Sequence, residues 1–431
     1  MDFKPIYARI GISATTRIVL RRLLLFFLGL ILFTRLATFN QPASAINFAK
    51  DGVRPLDALN YESLGYVYDS LPIQGSNTNL KVRKNAASLT PNEINRFVNA
   101  VKSLKTTTTS GRDGTQISIY DQFVATHLAT SDIAGRLGPD GQPFASPAHG
   151  NSAFLPWHRN LLLEFENLLQ VVDPSVTLPY WDFTNSSNTA NIIFKDNFIG
   201  PNGGSGGVGG GTVLSGFFTQ ANGWVQRKDL SYNRWSGKST ATQPLTRSLQ
   251  SLSNLPTSTK VDRILANTSY PDFRNALENF LHNGVHGWVG GSLKTLGTSP
   301  NDPVFWLLHT NVDRIWAQWQ VNGHWGSNWY PASGQPYGHN LNDLMWPWDL
   351  GQMSAAADLQ ALVPSAGSAQ AIKAPSQSVR RFKVAKNPQE LLSNETHLYN
   401  PFVNDEHQLM AHQMSDDEDT NHISNSSSST S

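Results

Sequence analysis

The chain of 431 residues contains no cysteine. Disulfides, thiolate metal sites and a cysteine nucleophile are therefore excluded, and the redox compartment is left open. An excess of basic charge is missing too: 33 Lys and Arg face 32 Asp and Glu. With no basic face to expect, a nucleic-acid partner is not indicated. Long apolar runs are scarce. The one near the N-terminus, Leu23 to Phe33, covers eleven residues, too few to span a bilayer comfortably. The glycine-rich stretch 200–212 lacks the Lys-Ser/Thr and helix start of a phosphate cradle, so a flexible loop is expected there. Internal repeats are absent, apart from a rough echo between two histidine-bearing stretches.

The first 45 residues read as a targeting segment. Lys4, Arg9, Arg17, Arg21 and Arg22 precede the apolar run, and Ala43-Ser44-Ala45 offers a small-residue cleavage site. Export to the periplasm or the exterior is expected, with an uncleaved membrane anchor as the alternative. Arg21-Arg22 hints at twin-arginine export, although Leu20 stands where a Ser or Thr is usual. Removal of residues 1–45 takes away six Lys/Arg and one Asp, leaving 27 basic against 31 acidic side chains. No stable membrane association is expected after cleavage.

Beyond the segment 46–85, with Leu64-Gly-Tyr-Val-Tyr-Asp69 as a short strand, the pattern turns helical. Thr90-Pro-Asn-Glu93 is a capping box with Pro at the first helical position, and Ile94, Phe97, Val98 and Val101 follow at helical spacing to about Leu104. Further helices are expected over Ile117 to Leu128, Ser152 to Val171, 271–288 and 301–320. The clearest is Ser152 to Val171, with its stripe Leu161, Leu162, Phe165, Leu168 and Leu169. After Leu350 the text becomes Ala/Ser/Pro-rich and ends in Ser and Asn, the composition of a disordered tail.

Six of the twelve histidines fall in two stretches. The first holds His127, His149 and His158, the last inside Phe154-Leu-Pro-Trp-His158-Arg159. The second holds His282, His286 and His309, with Asp313-Arg314 one turn on. His282 and His286, at i and i+4, project from one helix face. That alone is weak, since twelve His in this length give roughly 0.3 such pairs by chance. The company is more telling: His158 and His309 lie in very apolar helices, and a buried imidazole needs a hydrogen-bond partner or a metal. Three neutral imidazoles per stretch hold one metal with an open position, imidazole suits copper in either oxidation state, and four helices turning histidines inward can build a two-metal site.

These motifs resemble the tyrosinase family of type-3 copper proteins, which includes catechol oxidases and is related to hemocyanins. Phe154 to Arg159 is similar to the family's first copper motif, and Ser299-Pro-Asn-Asp-Pro-Val-Phe305 through His309 to Arg314 to its second. Gly338-His-Asn-Leu-Asn-Asp343, before Leu-Met-Trp-Pro-Trp348, is similar to the segment that closes the domain. The resemblance covers about residues 86–350, between an N-terminal extension (46–85) and a C-terminal extension (351–431).

The resemblance implies a mainly α fold, a four-helix bundle around a dicopper centre with long loops. It implies His127, His149 and His158 on one copper ion, His282, His286 and His309 on the other, and O2 as co-substrate. The activity implied is hydroxylation of monophenols and oxidation of catechols to o-quinones, with small phenols as substrates. The alternatives are a catechol oxidase without hydroxylating ability or a hemocyanin-like O2 carrier; no shielding domain is evident for a carrier, and oligomeric state is not indicated. Phe305 resembles a gate residue above the second copper, or is plain core. Asp313 orients a ligand ring, or pairs with Arg314 or Arg159. Asn283 resembles the residue that holds a water able to deprotonate a monophenol, with Glu278 as its partner; the competing role for Glu278 is a surface pair with Arg274. Gly287 is expected to leave the site mouth small and uncharged. Pro147, two before His149, rules out the thioether some members carry, and Leu308 replaces a second histidine common before His309. The tail residues His407, Met410, His412, Met414 and His422 either capture copper or belong to a solvated acidic tail.

The export reading is checked by N-terminal sequencing of protein from its native host. The expected first residue is Ile46; an intact Met1 would count against cleavage.

Overall fold

Thr90 and Glu93 cap one another: the threonine hydroxyl accepts from the Glu93 amide at 3.3 Å, and the Glu93 carboxylate accepts from the Thr90 amide at 2.8 Å. With Pro91 in the first turn, this starts helix α1, Pro91–Thr106. The computed structural model describes residues 52–352, except 78, 111–115, 136–137, 205–209, 229, 231–240 and 351. The expected targeting segment and the His/Met-bearing tail lie outside the described residues.

Helix α2, Ile119–Asp132, begins at Ser118, whose hydroxyl accepts from the Asp121 amide at 3.0 Å. It runs a turn beyond the expected Leu128, because Ala129 is buried and the Thr130 hydroxyl donates back to the His127 carbonyl at 2.8 Å. Helix α3 is Phe154–Val172. The helix expected over 271–288 is a composite: α4, Tyr270–Asn275, continues through a π-helical stretch, Ala276–His282, into α5, Asn283–Val289. Helix α6 is Val304–Val321. Strands are short. β1, Tyr66–Tyr68, pairs in parallel with β2, Lys81–Arg83, and the other ladders among the described residues are two or three residues long. The architecture is mainly α with long loops, as expected, and no described helix is long and apolar enough to cross a membrane.

Helices α3 and α6 pack along each other at the centre. Phe165 and Trp306 stack with ring centroids 3.5 Å apart, and Tyr120 and Phe123 of α2 meet Trp306 edge-on. The segment before β1 is knit to the closing segment. Val53 donates to the Trp348 carbonyl at 2.9 Å, and Met345 donates to Val53 at 2.7 Å.

Between α3 and α6 lies a buried ionic cluster. The Asp313 carboxylate accepts from Arg159 Nε at 2.5 Å, Arg83 Nη1 at 3.3 Å, the Tyr66 hydroxyl at 2.8 Å and the Tyr68 hydroxyl. Arg83 in turn forks onto Glu166, and the Arg159 guanidinium lies 3.6 Å above the Trp316 ring. The expectation that Asp313 orients a ligand ring is therefore corrected. A carboxylate at 3% exposure needs opposite charge beside it, which the guanidiniums supply and a neutral imidazole does not. Of its alternative partners, Arg159 is the one found.

Removing Asp313 leaves two buried guanidiniums short of counter-charge. Asp313→Ala is expected to cost about 3–5 kcal/mol in denaturant unfolding. A loss below about 1 kcal/mol, the level of an exposed pair, would contradict this account.

Candidate metal centre

Four of the six histidine rings are aimed by what their Nδ1 touches. His127, on α2, has Nδ1 3.0 Å from the Gly297 carbonyl, and His158, in the second turn of α3, has Nδ1 2.8 Å from the Phe154 carbonyl. His286, on α5, has Nδ1 2.9 Å from the Leu293 carbonyl, and His282 has Nδ1 3.0 Å from Asn283 Oδ1. A carbonyl oxygen cannot donate, so these Nδ1 atoms carry the proton and the lone pair sits on Nε2. His149 comes from the loop before α3, and neither ring nitrogen has a partner. His309, on α6, has a free Nδ1.

The rings converge as two triads. His127, His149 and His158 offer ligand atoms within 4.8 Å of one another, and so do His282, His286 and His309. In the first triad the Nε2 atoms of His127, His149 and His158 are buried without a hydrogen bond. In the second, His309 Nε2 lies 3.2 Å from His282 Nε2 and 3.4 Å from His286 Nε2. The protons of His282 and His286 are on Nδ1, so lone pairs face the centre of each triad. Such an arrangement repels itself unless a cation lies within it. All six sequence-derived histidines are thus brought together, three and three, and the donor set fits copper.

Burial keeps the rings neutral. It pushes His127 and His286 down to about 4, and His149, His158, His282 and His309 well below the ordinary histidine value. The triads touch through His158 and His309, whose rings stack at 4.3 Å with 10° between planes. Phe154 packs against His158 and His282, closing the same side.

Phe305 is not at a mouth. Its ring lies 4.1 Å from His309 and 5.2 Å from His127 and has no exposed surface, so the gate reading gives way to core packing between the triads. Around Gly284 and Gly287 an added Cβ would meet nothing within 4 Å, which leaves open space beside α5. Asn283 is exposed, with Oδ1 on His282 and Nδ2 3.3 Å from Asn279 Oδ1. Glu278 is buried, not on the surface. Oε2 accepts from Arg274 at 2.8 Å and Oε1 from the Gly150 amide at 2.7 Å. Burial raises its carboxyl above the usual range, offset in part by these two donors. The Arg274 pair and the buried base candidate are therefore the same carboxylate.

Two features had no readable signal. The π-helical stretch, where the Asn283 amide reaches back to the Glu278 carbonyl, leaves no mark in periodicity. His339 accepts from the Ala153 amide at 3.1 Å across the chain. It caps α3, whose N-cap residue has no side chain for the task.

Residues 117–322 match the common central domain of tyrosinase. A tyrosinase of Streptomyces glaucescens is 39% identical over 288 residues, spanning 63% of this chain and 93% of its own. One of Streptomyces antibioticus is 40% identical over 289 residues, with the same two shares, 63% and 93%. Among solved structures, a variant polyphenol oxidase from Thermothelomyces thermophila aligns at 24% identity and a TM-score of 0.45, over 57% of this chain and 71% of that one.

His158→Ala or His309→Ala should each leave one copper per chain in metal analysis, and two retained coppers in either variant would refute the ligand set. Metal-free protein should lose stability as pH falls from about 6.5 toward 4. Unfolded imidazoles take up protons near about 6.5, whereas folded His127 and His286 resist down to about 4. The unfolded state then binds more protons across that window and is favoured by acid. Denaturant midpoints that stay flat over it would contradict the burial account.

Proposed function

Because this chain belongs to the tyrosinase family, whose members hold two copper ions, we propose that it uses O2 to hydroxylate small monophenols and to oxidise catechols to o-quinones. The observation that carries the reading is the pair of histidine triads meeting at the His158–His309 stack. When bound, the two copper ions supply the O2 activation and electron transfer that no side chain here provides.

What the chain's own residues do can be derived from their contacts. The backbone carbonyls of Gly297, Phe154 and Leu293 hold His127, His158 and His286 in one tautomer, and Asn283 does the same for His282. Fixing the far nitrogen in this way raises ligand basicity and sets ring direction. Phe154 and Phe305 exclude water from the space between the triads, where charge interactions gain strength. Gly287, directly after His286, has open space around it and brings no charged side chain beside that ligand, which suits an uncharged phenol.

A monophenol arrives with one phenolic proton that must leave before the oxygen is a good donor. In this reading Glu278, made more basic by burial, takes that proton through a water that the exposed Asn283 orients. A catechol needs this help less. Oxygen uptake with a monophenol and a catechol, side by side, tests the function. Uptake with both supports the reading; with the catechol alone, a catechol oxidase; with neither, despite reversible O2 binding, a carrier.

Asn283→Ala is expected to weaken copper at the second triad, so rates are compared at saturating copper. There, monophenol hydroxylation should fall by about 10²–10⁴-fold, far more than catechol oxidation. Equal falls in both would place the effect in His282 geometry rather than in proton removal.

A further inference from the structure

Of the six histidines, His149 is the least held by its own contacts. It lies on no helix, and neither ring nitrogen has a hydrogen-bond partner. Its direction is set by the backbone of the loop that carries it, and that loop is bonded from outside at Gly150, Ser152 and Ala153. The Gly150 amide, at a left-handed φ of 75°, donates to Glu278 Oε1 at 2.7 Å. The Ser152 carbonyl accepts from the Tyr270 hydroxyl at 2.6 Å, and the Ser152 hydroxyl donates to Gln335 at 3.2 Å. The Ala153 amide donates to His339 Nδ1 at 3.1 Å.

Two of these partners, Tyr270 and Glu278, stand on the α4–α5 composite helix that also bears His282 and His286. We propose that Glu278 and Tyr270 are positioning residues that hold His149 on the first copper ion, so that the helix supplying two ligands of the second site also sets one ligand of the first. The proposal rests on the reading of the triads as copper sites. It gives Glu278 a second task beside proton removal, and gives Tyr270 a task where none was assigned.

Chelator extraction of copper from the loaded protein, without O2 or substrate, is the test. Two coppers bound by the unsubstituted protein establish the reading on which the proposal rests, and failure there is failure of that reading. Tyr270→Phe deletes one hydroxyl and keeps the ring in its aromatic cluster, so it is the primary variant; Glu278→Ala is the second. In each, one copper should be released about 10–100-fold more readily and the other at the unsubstituted rate; the melting temperature of the metal-free protein should stay close to the unsubstituted value in Tyr270→Phe, whereas Glu278→Ala strands Arg274 and lowers it. In a His149→Ala background, Tyr270→Phe should add nothing further to copper release. Equal weakening of both coppers together with a lower melting temperature would overturn the proposal in favour of a general packing role. Unchanged release of both coppers would overturn it outright.

Discussion

Asp313 is the charge on which the interior is arranged. It draws Arg159 from α3, Arg83 from β2 and two tyrosines from β1 to one point on α6, and through Arg83 it reaches Glu166. Buried ion pairs of this kind add little net stability over a well-packed apolar core, yet tolerate no missing member. Their effect here is on geometry. Arg159 directly follows His158 in the chain, and Asp313 lies one turn after His309. The ion pair that locks α3 to α6 therefore also fixes the distance at which the two rings stack. Arg247 and Asp302 repeat the device at the start of α6, where both oxygens of the carboxylate are taken by the guanidinium at 2.7 Å.

With that frame set, the loops finish the centre. Helices bring five of the six imidazoles close, but carbonyls of Gly297 and Leu293, both outside the long helices, decide the tautomers of His127 and His286. The same depth that makes these rings neutral makes the Glu278 carboxyl more basic. Desolvation disfavours charge on both types of group, so one environment prepares metal ligands and a proton acceptor together.

Much of this was legible in the sequence, for identifiable reasons. The capping box at Thr90 and Glu93 and the apolar stripe of α3 are local signals, and both helices stand where the sequence places them. The six histidines could be picked out because their neighbours form recognisable motifs. What could not be read is what depends on partners distant in the chain. Asp313 pairs with residues 154 and 230 positions away, and Glu278 meets Gly150 from 128 positions away. Phe305 reads equally well as gate or core until its depth is known. Glu278 and Arg274 do form the i, i+4 pair that a helix suggests, but at a depth that no local rule conveys.

The wide turn between Ala276 and His282 carries a consequence for how this helix can change over time. One residue more than an α-helix needs is accommodated there; His282 ends the stretch and His286 follows it. Each residue of an α-helix turns the chain by about 100°. Loss of a single position in this stretch would swing both rings away from His309 while leaving every side chain chemically intact. Length therefore matters here alongside the identities of Glu278 and His282: the segment also behaves as a mechanical spacer, in which an inserted or deleted residue changes where the rings point.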